Sequence, residues 1–298
     1  MEFIQQVING LAQGGIYSLI AIGWTTVYGV VGVMNWTHGE VYMLGAFCGF
    51  FLFTRLHLPF LAGLLISMVA GSLIAMAIDQ FGYKPLRKIG MPRMAGFITA
   101  LGLSTLLRYS STALFTPDPQ AYPANLLSYK LLTLFHINGK AITVSSLHLM
   151  IFLGTLVIMA ALELFIRKTL TGKAMLAASQ DMSTLELMGA NPEKLIKITF
   201  AISGALGAAA GVFVGTIYAI NTMMGSLAGL KGWSVAILGG VGNMTGSMLG
   251  GLLLGIAESL TAGFVSTGYK DAIGFIIMIL VLLVKPTGLK GYSAEEKV

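Results

Sequence analysis

Charge is scarce in this chain. Only 10% of its 298 residues are Asp, Glu, Lys or Arg, while 56% are hydrophobic; an ordinary soluble domain carries roughly 25% charged residues. So few charges cannot cover the surface of a water-soluble protein of this length. Cysteine is scarcer still. Cys48 stands alone, which excludes an intrachain disulfide and a cysteine metal cluster. His38, His57, His136 and His148 show no metal-ligand spacing, so no metal site is expected. There is no nucleophile elbow and no phosphate-binding loop, because Gly172-Lys173 is followed by Ala174 and lacks the glycine five residues earlier. An enzyme is therefore a poor reading, and any ATP would have to be handled by another polypeptide. No basic stretch precedes the first apolar run, so that run reads as a retained span and not a cleaved signal.

What is present is hydrocarbon in blocks. A helix needs about 20 apolar residues to cross a bilayer. Candidate spans lie at about 5–28, 38–54, 59–80, 95–115, 147–166, 196–219, 247–265 and 271–285, with a shorter Gly-rich stretch at about 226–242 as a ninth, broken or re-entrant one. The expected fold is an all-α polytopic bundle of eight or nine spans in a single domain over 1–298. The pI near 9.4 reflects basic residues in short connections, not a nucleic-acid face. Lys84, Arg87, Lys88 and Arg93 follow the third span. Arg167, Lys168, Lys173, Lys194 and Lys197 follow the fifth, and Lys285, Lys290 and Lys297 follow the last. If all three groups lie inside, nine crossings result, with an outer N-terminus and a cytoplasmic C-terminus; eight crossings would put the C-terminus outside. Residues 116–146 then form an outer cap, irregular or of short helices, and 167–195 an inner segment.

Four features could carry function. Asn35-Trp36-Thr37-His38-Gly39-Glu40 joins the first two apolar runs, and Thr37 with Glu40 reads as a capping box that starts a helix at His38. The alternative is an ordinary capped turn, although His38 and Glu40 so near hydrocarbon are expected to face protein or water. Arg108 and Glu258 interrupt apolar spans. Snorkelling is the more frequent fate for the arginine, whereas an acid inside a span is a functional or ion-pair site by default. Glu163 and Arg167 stand at the spacing of a local ion pair. Gly207, Gly211, Gly246, Gly250, Gly251 and Gly255 form small-xxx-small faces, whose expected role is helix packing. Last, the inner segment runs to about 28 residues where helix–helix links usually take 2–8. It reads as a polar helix stopping near Gly189, with Leu185, Met188 and Leu195 available to a partner.

Several runs together resemble bacterial branched-chain amino-acid ABC importer permeases over nearly the whole chain. They are Ile8-Asn9-Gly10-Leu11, Gly15 to Gly23, Asn35 to Ala46, Gly172-Lys173-Ala174, Gly189-Ala190-Asn191, Ala236 to Gly242, Gly250-Gly251 with Leu254, Gly255 and Glu258, and Pro286-Thr287-Gly288-Leu289. The resemblance implies two pseudo-repeated halves, echoed here only in the Gly-rich breaks near 29–39 and 225–246. It implies a second homologous permease, two cytoplasmic ATPases that bind the ATP and Mg, a periplasmic binding protein and an inner-membrane location. Residues about 172–193, with Gly172, Lys173, Asp181, Glu186 and Gly189, would form the segment coupled to the ATPase. The Glu-Ala-Ala-x-x-x-Gly pattern frequent in ABC importers is not met, since Ser183, Thr184 and Leu185 precede Gly189.

On this reading the chain is a permease subunit for branched-chain amino acids or similar small solutes, working by alternating access. Asn35, Thr37, His38, Glu40 and Glu258 are its pathway or gate candidates. The same architecture with urea or short amides as cargo is one alternative. A passive channel or ion-coupled carrier, with Glu40 and Glu258 as relays, is another of a different class.

Overall fold

The computed structural model describes residues 2–90, 93–127, 130–137 and 140–291. Lys297 and the side chains of Arg93 and His136 fall outside that description. Among the described residues, each of the nine expected spans is a helix. They are α1 (Glu2–Val31), α2 (His38–Thr54), α3 (Phe60–Ile78), α5 (Arg93–Leu114), α6 (Ser146–Lys168), α9 (Pro192–Gly215), α10 (Met224–Gly239), α11 (Met244–Phe264) and α12 (Lys270–Val284). Six are long and apolar enough to cross a membrane; α2, α5 and α10 are not among them. With 17 and 16 residues, α2 and α10 rise only about 26 and 24 Å.

The two most apolar spans, α6 and α3, are among the less buried. The apolar stretch of α1 has a mean hydropathy of 1.4 and is 83% buried, whereas that of α6 reaches 2.5 and is 28% buried. A helix walled by protein can keep Asn, Gln, Ser and Thr because neighbours satisfy them, but one bathed in lipid cannot.

The chain divides into two compact units. One comprises 26–128 and 157–230, the other 1–25, 129–156 and 231–298. In the first, α3 and α2 pack closely on α9. A Cβ at Gly211 would overlap the carbonyl oxygen of Tyr42, and one at Gly204 the carbonyl of Gly71. A π-helical turn, Asp79–Tyr83, carries α3 into the short α4 (Lys84–Lys88). It turns Asp79 inward, where Arg87 donates to both carboxylate oxygens at 2.6 and 3.2 Å. Two further helices, α7 (Leu170–Gln180) and α8 (Met182–Leu187), occupy the inner segment.

In the second unit, α11 packs on α1 and α10 through glycine. A Cβ at Gly255 would overlap Gly14, one at Gly251 would overlap Ser18, one at Gly246 would overlap the carbonyl of Gly239, and one at Gly250 would stand 2.9 Å from the carbonyl oxygen of Val235. Ser18 uses this closeness to donate across to the carbonyl of Met248 at 2.8 Å. The run Pro286 to Leu289 finds a use here. The amides of Leu289 and Lys290 donate to the carbonyls of Leu238 and Gly239 at 2.9 and 3.0 Å, satisfying groups that the end of α10 leaves open.

Two expectations need correction. Within 116–146 there is a β-hairpin, β1 (Leu131–Ile137) antiparallel to β2 (Lys140–Ser145), instead of short helices. The apolar stretch Leu131–Ile137 is interrupted by Thr133 and His136 and is too short to read as a span, so a search for apolar runs passes over it. The inner segment is two helices, not one, because Asp181 has extended backbone and its carboxylate accepts from the amides of Ser183 and Thr184 at 2.9 and 3.3 Å. An N-cap so made starts a new helix.

The glycine contacts yield a paired test. Gly211→Leu is expected to lower stability by about 1–3 kcal/mol, the usual cost of overpacking, seen as a drop in the thermal midpoint in detergent. Gly229→Ala meets only Gly39 at 3.4 Å and is expected to leave the midpoint unchanged or raised.

Candidate functional site

Besides the Asp79–Arg87 pair, two buried charge clusters stand out among the described residues, one within each unit. The first is built on the break between α1 and α2. Gly32, at φ +69°, ends α1 with its amide on the carbonyl of Tyr28, and α2 begins at His38, as the sequence suggests. The cap differs from expectation. Thr37 has helical backbone and makes no side-chain cap; its hydroxyl donates instead to Oδ1 of Asn35 at 2.5 Å. That oxygen also accepts from the Tyr83 hydroxyl at 3.1 Å, so Asn35 and Thr37 hold the shape of the break. His38 places Nδ1 3.1 Å from the Ser203 hydroxyl, and Gly207 leaves room for its ring.

Glu40 is 1% exposed and does not complete a capping box either. Its Oε1 accepts from Arg108 Nη2 at 2.7 Å and Nε at 3.2 Å, and from the Ser104 hydroxyl at 2.9 Å. A buried carboxylate gains more from a guanidinium than from one backbone amide, which is why the local pattern misleads. Arg108 consequently does not snorkel. The other carboxylate oxygen, Oε2, is buried without a hydrogen-bond partner among the described residues, and it faces Gly225, where a Cβ would stand 2.6 Å away.

The second cluster surrounds Glu258, itself fully buried. Tyr17 donates to its Oε2 at 2.7 Å, and Lys231 Nζ lies 3.1 Å from Oε2 and 2.8 Å from Oε1. Lys231 also reaches Asp271 at 2.7 Å, and Lys270 stands 3.8 Å from Oε2. Two acids and two bases thus balance. The sequence reading overlooks Lys231, although a lone lysine inside the Gly-rich stretch 226–242 is the same signal that singles out Glu258.

The inner segment gathers its own residues. Gly172 is buried, donates its amide to the Thr169 hydroxyl at 3.0 Å, and would overlap Ile166 if it bore a Cβ. Lys173, Asp181 and Glu186 are exposed. The Ser183 and Thr184 donors hold the Asp181 carboxyl well below the usual range. Gly189, at φ +87°, ends α8 with its amide on the Glu186 carbonyl at 2.9 Å. Leu185 and Leu195, expected to await a partner, are instead packed in the chain's own core. Leu187 and Met188 are exposed, at 89% and 79%, as is Leu170 at 87%.

A family model described as the branched-chain amino acid transport system permease component matches residues 6–282. The chain belongs to this family. LivH, the high-affinity branched-chain amino acid transport system permease protein of Escherichia coli K12, is 37% identical over 307 residues, covering 100% of this chain and 98% of LivH. BraD, with the same description in Pseudomonas aeruginosa, is 38% identical over 306 residues with the same coverage. The structure of PsaBC from Streptococcus pneumoniae in complex with Fab resembles this fold at a TM-score of 0.51 and 13% identity, over 96% of this chain and 93% of that one. The chain is thus a multi-pass membrane permease component, and both clusters lie on its expected spans.

The two partners of the first cluster differ in exposure, and that sets an order of effects. Arg108→Met strands a carboxylate at 1% exposure and is expected to cost about 3–5 kcal/mol. Glu40→Gln strands an arginine that is 22% exposed and is expected to cost less. Thermal unfolding of the two variants and of the double variant checks this; the double variant should be more stable than Arg108→Met alone.

Proposed function

We propose that this permease is the membrane subunit of an ATP-driven importer of branched-chain amino acids in a bacterial inner membrane. Its N-terminus lies outside and its C-terminus in the cytoplasm. It works beside a second related permease, two cytoplasmic ATPases that bind ATP and Mg, and a periplasmic binding protein. The single observation that carries the reading is the similarity to LivH and BraD along the whole chain.

The inner segment supports the motor's being separate. Helix α8 is closed at both ends by its own caps, Asp181 and Gly189, yet presents Leu187 and Met188 to water. A self-sufficient short helix with an uncovered apolar tip suits docking in a groove of another subunit. In this proposal Gly172, Lys173, Asp181, Glu186 and Gly189 shape and present that surface.

Both acids speak against the ion-coupled alternative. A relay carboxylate must exchange its ion, whereas Glu40 and Glu258 each hold a base at 2.7–2.8 Å. Glu40 is the better pathway candidate. Its second oxygen has no partner among the described residues and suits the ammonium of an amino acid; Asn35, Thr37 and His38 hold the break that positions it. Glu258 would keep its bundle neutral, as a gate element.

Two outcomes test this. Leu187→Glu with Met188→Glu is expected to abolish leucine uptake in cells while membrane insertion and thermal midpoint stay normal; wild-type uptake would sink the docking role. Glu258→Gln is expected to impair uptake more than Glu163→Gln, since Glu163 makes only a surface pair with Arg167. Uptake measured with radiolabelled leucine at matched expression decides between them.

A further inference from the structure

An apolar groove of about 670 Å³ runs along α9, between α3 and α6, within the first unit. Met68, Met76, Leu162, Phe165, Ile198 and Ile202 line it, and Lys194 and Lys197 stand at its α9 N-terminal end. The same two lysines border a smaller cavity of about 210 Å³ shared with Asp79, Gln80, Lys84, Asn191 and Glu193. Apolar trough and polar pocket therefore meet at one pair of lysines.

The charges at that end do not balance. Arg87 neutralises Asp79, and Lys84 at 3.3 Å and Arg87 at 3.6 Å share Glu193. Among the described residues no carboxylate lies within 4.0 Å of Lys194 or Lys197. Four bases face two acids, which leaves two positive charges beside a trough with no acid in its lining.

Length and setting identify the occupant. From Lys194 to Ala205 the helix rises about 16 Å, close to half of the roughly 30 Å hydrocarbon core, the depth of one leaflet. The groove is walled by α3 and α6, whose apolar stretches are only 33% and 28% buried within the chain, leaving the trough open to what surrounds it in the membrane. Flexible methionines suit an occupant without fixed shape. We infer that this groove binds one anionic phospholipid, its acyl chain along Ile198, Ile202 and Ala205 and its phosphate at Lys194 and Lys197. A zwitterionic lipid would bring its own cation to the same lysines. The inference requires only that the chain spans a membrane and is independent of the transported solute.

Native mass spectrometry of the full-length permease in mild detergent, with equimolar phosphatidylglycerol and phosphatidylcholine, tests it. Wild type is expected to retain phosphatidylglycerol about tenfold or more over phosphatidylcholine, the order that two lysines near an anionic headgroup supply. Lys194→Gln with Lys197→Gln should bring the ratio within about twofold, and Lys173→Gln should leave it unchanged. Ala201→Phe, which fills the trough but keeps both lysines, should lower retention of both lipids. Equal retention by wild type, or an unchanged preference in the double lysine variant, would overturn the inference. So would equal retention of glycerol phosphate, which has no acyl chain, or cross-linking of Ile202→Cys to another polypeptide in native membranes, which would make the groove a subunit interface.

Discussion

Neutralising buried charge organises this bundle. Among the described residues, the buried carboxylates and ammonium are those of Glu40, Asp79, Glu258 and Lys231, and each has an opposite partner within 2.8 Å. An unpaired ion with protein on one side and hydrocarbon beyond is costly enough to neutralise or drag in water, so the helices that carry these groups must meet. Glu40 draws α5 toward the start of α2 through Arg108, Lys231 fixes the middle of α10 to α11 through Glu258, and Asp79 holds α4 against the π-turn through Arg87. Glycine then decides how closely backbones can follow, as at Gly211 against Tyr42 and at Gly255 against Gly14. The two devices are complementary, because close approach shortens the reach that a charged side chain has to span.

What was legible in the sequence follows from the range of each interaction. Spans are local and declare themselves by length, so every expected one is a helix. Gly189 as a helix stop and the start of α2 at His38 are equally local, set by backbone conformation within a few residues. Family membership rests on many residues in order and needed no single decisive motif. The misses are long-range. Arg108 sits 68 residues from Glu40, and Tyr17 stands 241 from Glu258; no periodicity encodes such a pairing. Thr37 and Glu40 show the converse, a local capping signal overridden because Asn35 and Arg108 compete for the same two side chains. The hairpin over Leu131–Ser145 was missed because its apolar stretches are short and broken by polar residues.

The departure at Ser183 and Thr184 gains a physical meaning from the cap at Asp181. Where the wider importer pattern has an acid followed by alanines, this chain has two hydroxyl residues that donate both amides and both side chains to one carboxylate. The helix start is thereby made by Asp181, outside the pattern, while the glycine that ends the helix keeps its place. Short-helix geometry survives with different residues supplying it. Contacts that such an acid makes elsewhere in the wider group cannot come from Ser183, Thr184 or Leu185 here, and Leu185 is in any case buried.

Exposure separates the surfaces that remain. Leu187 and Met188 are exposed apolar residues beside the exposed polar Asp181, Ser183, Thr184 and Glu186, so burial by another protein is the way to remove their cost. The apolar faces of α3, α6 and α12 are little buried within the chain, and against hydrocarbon such faces carry no such cost. Lys194 and Lys197 lie where these two regimes join, at the first turns of α9. A cation there opposes the positive end of the helix dipole, so neither lysine is placed for the helix's own stability. Besides counting toward the inner group of basic residues, they are placed to meet something anionic outside the chain, with apolar matter running on from it along the same helix face.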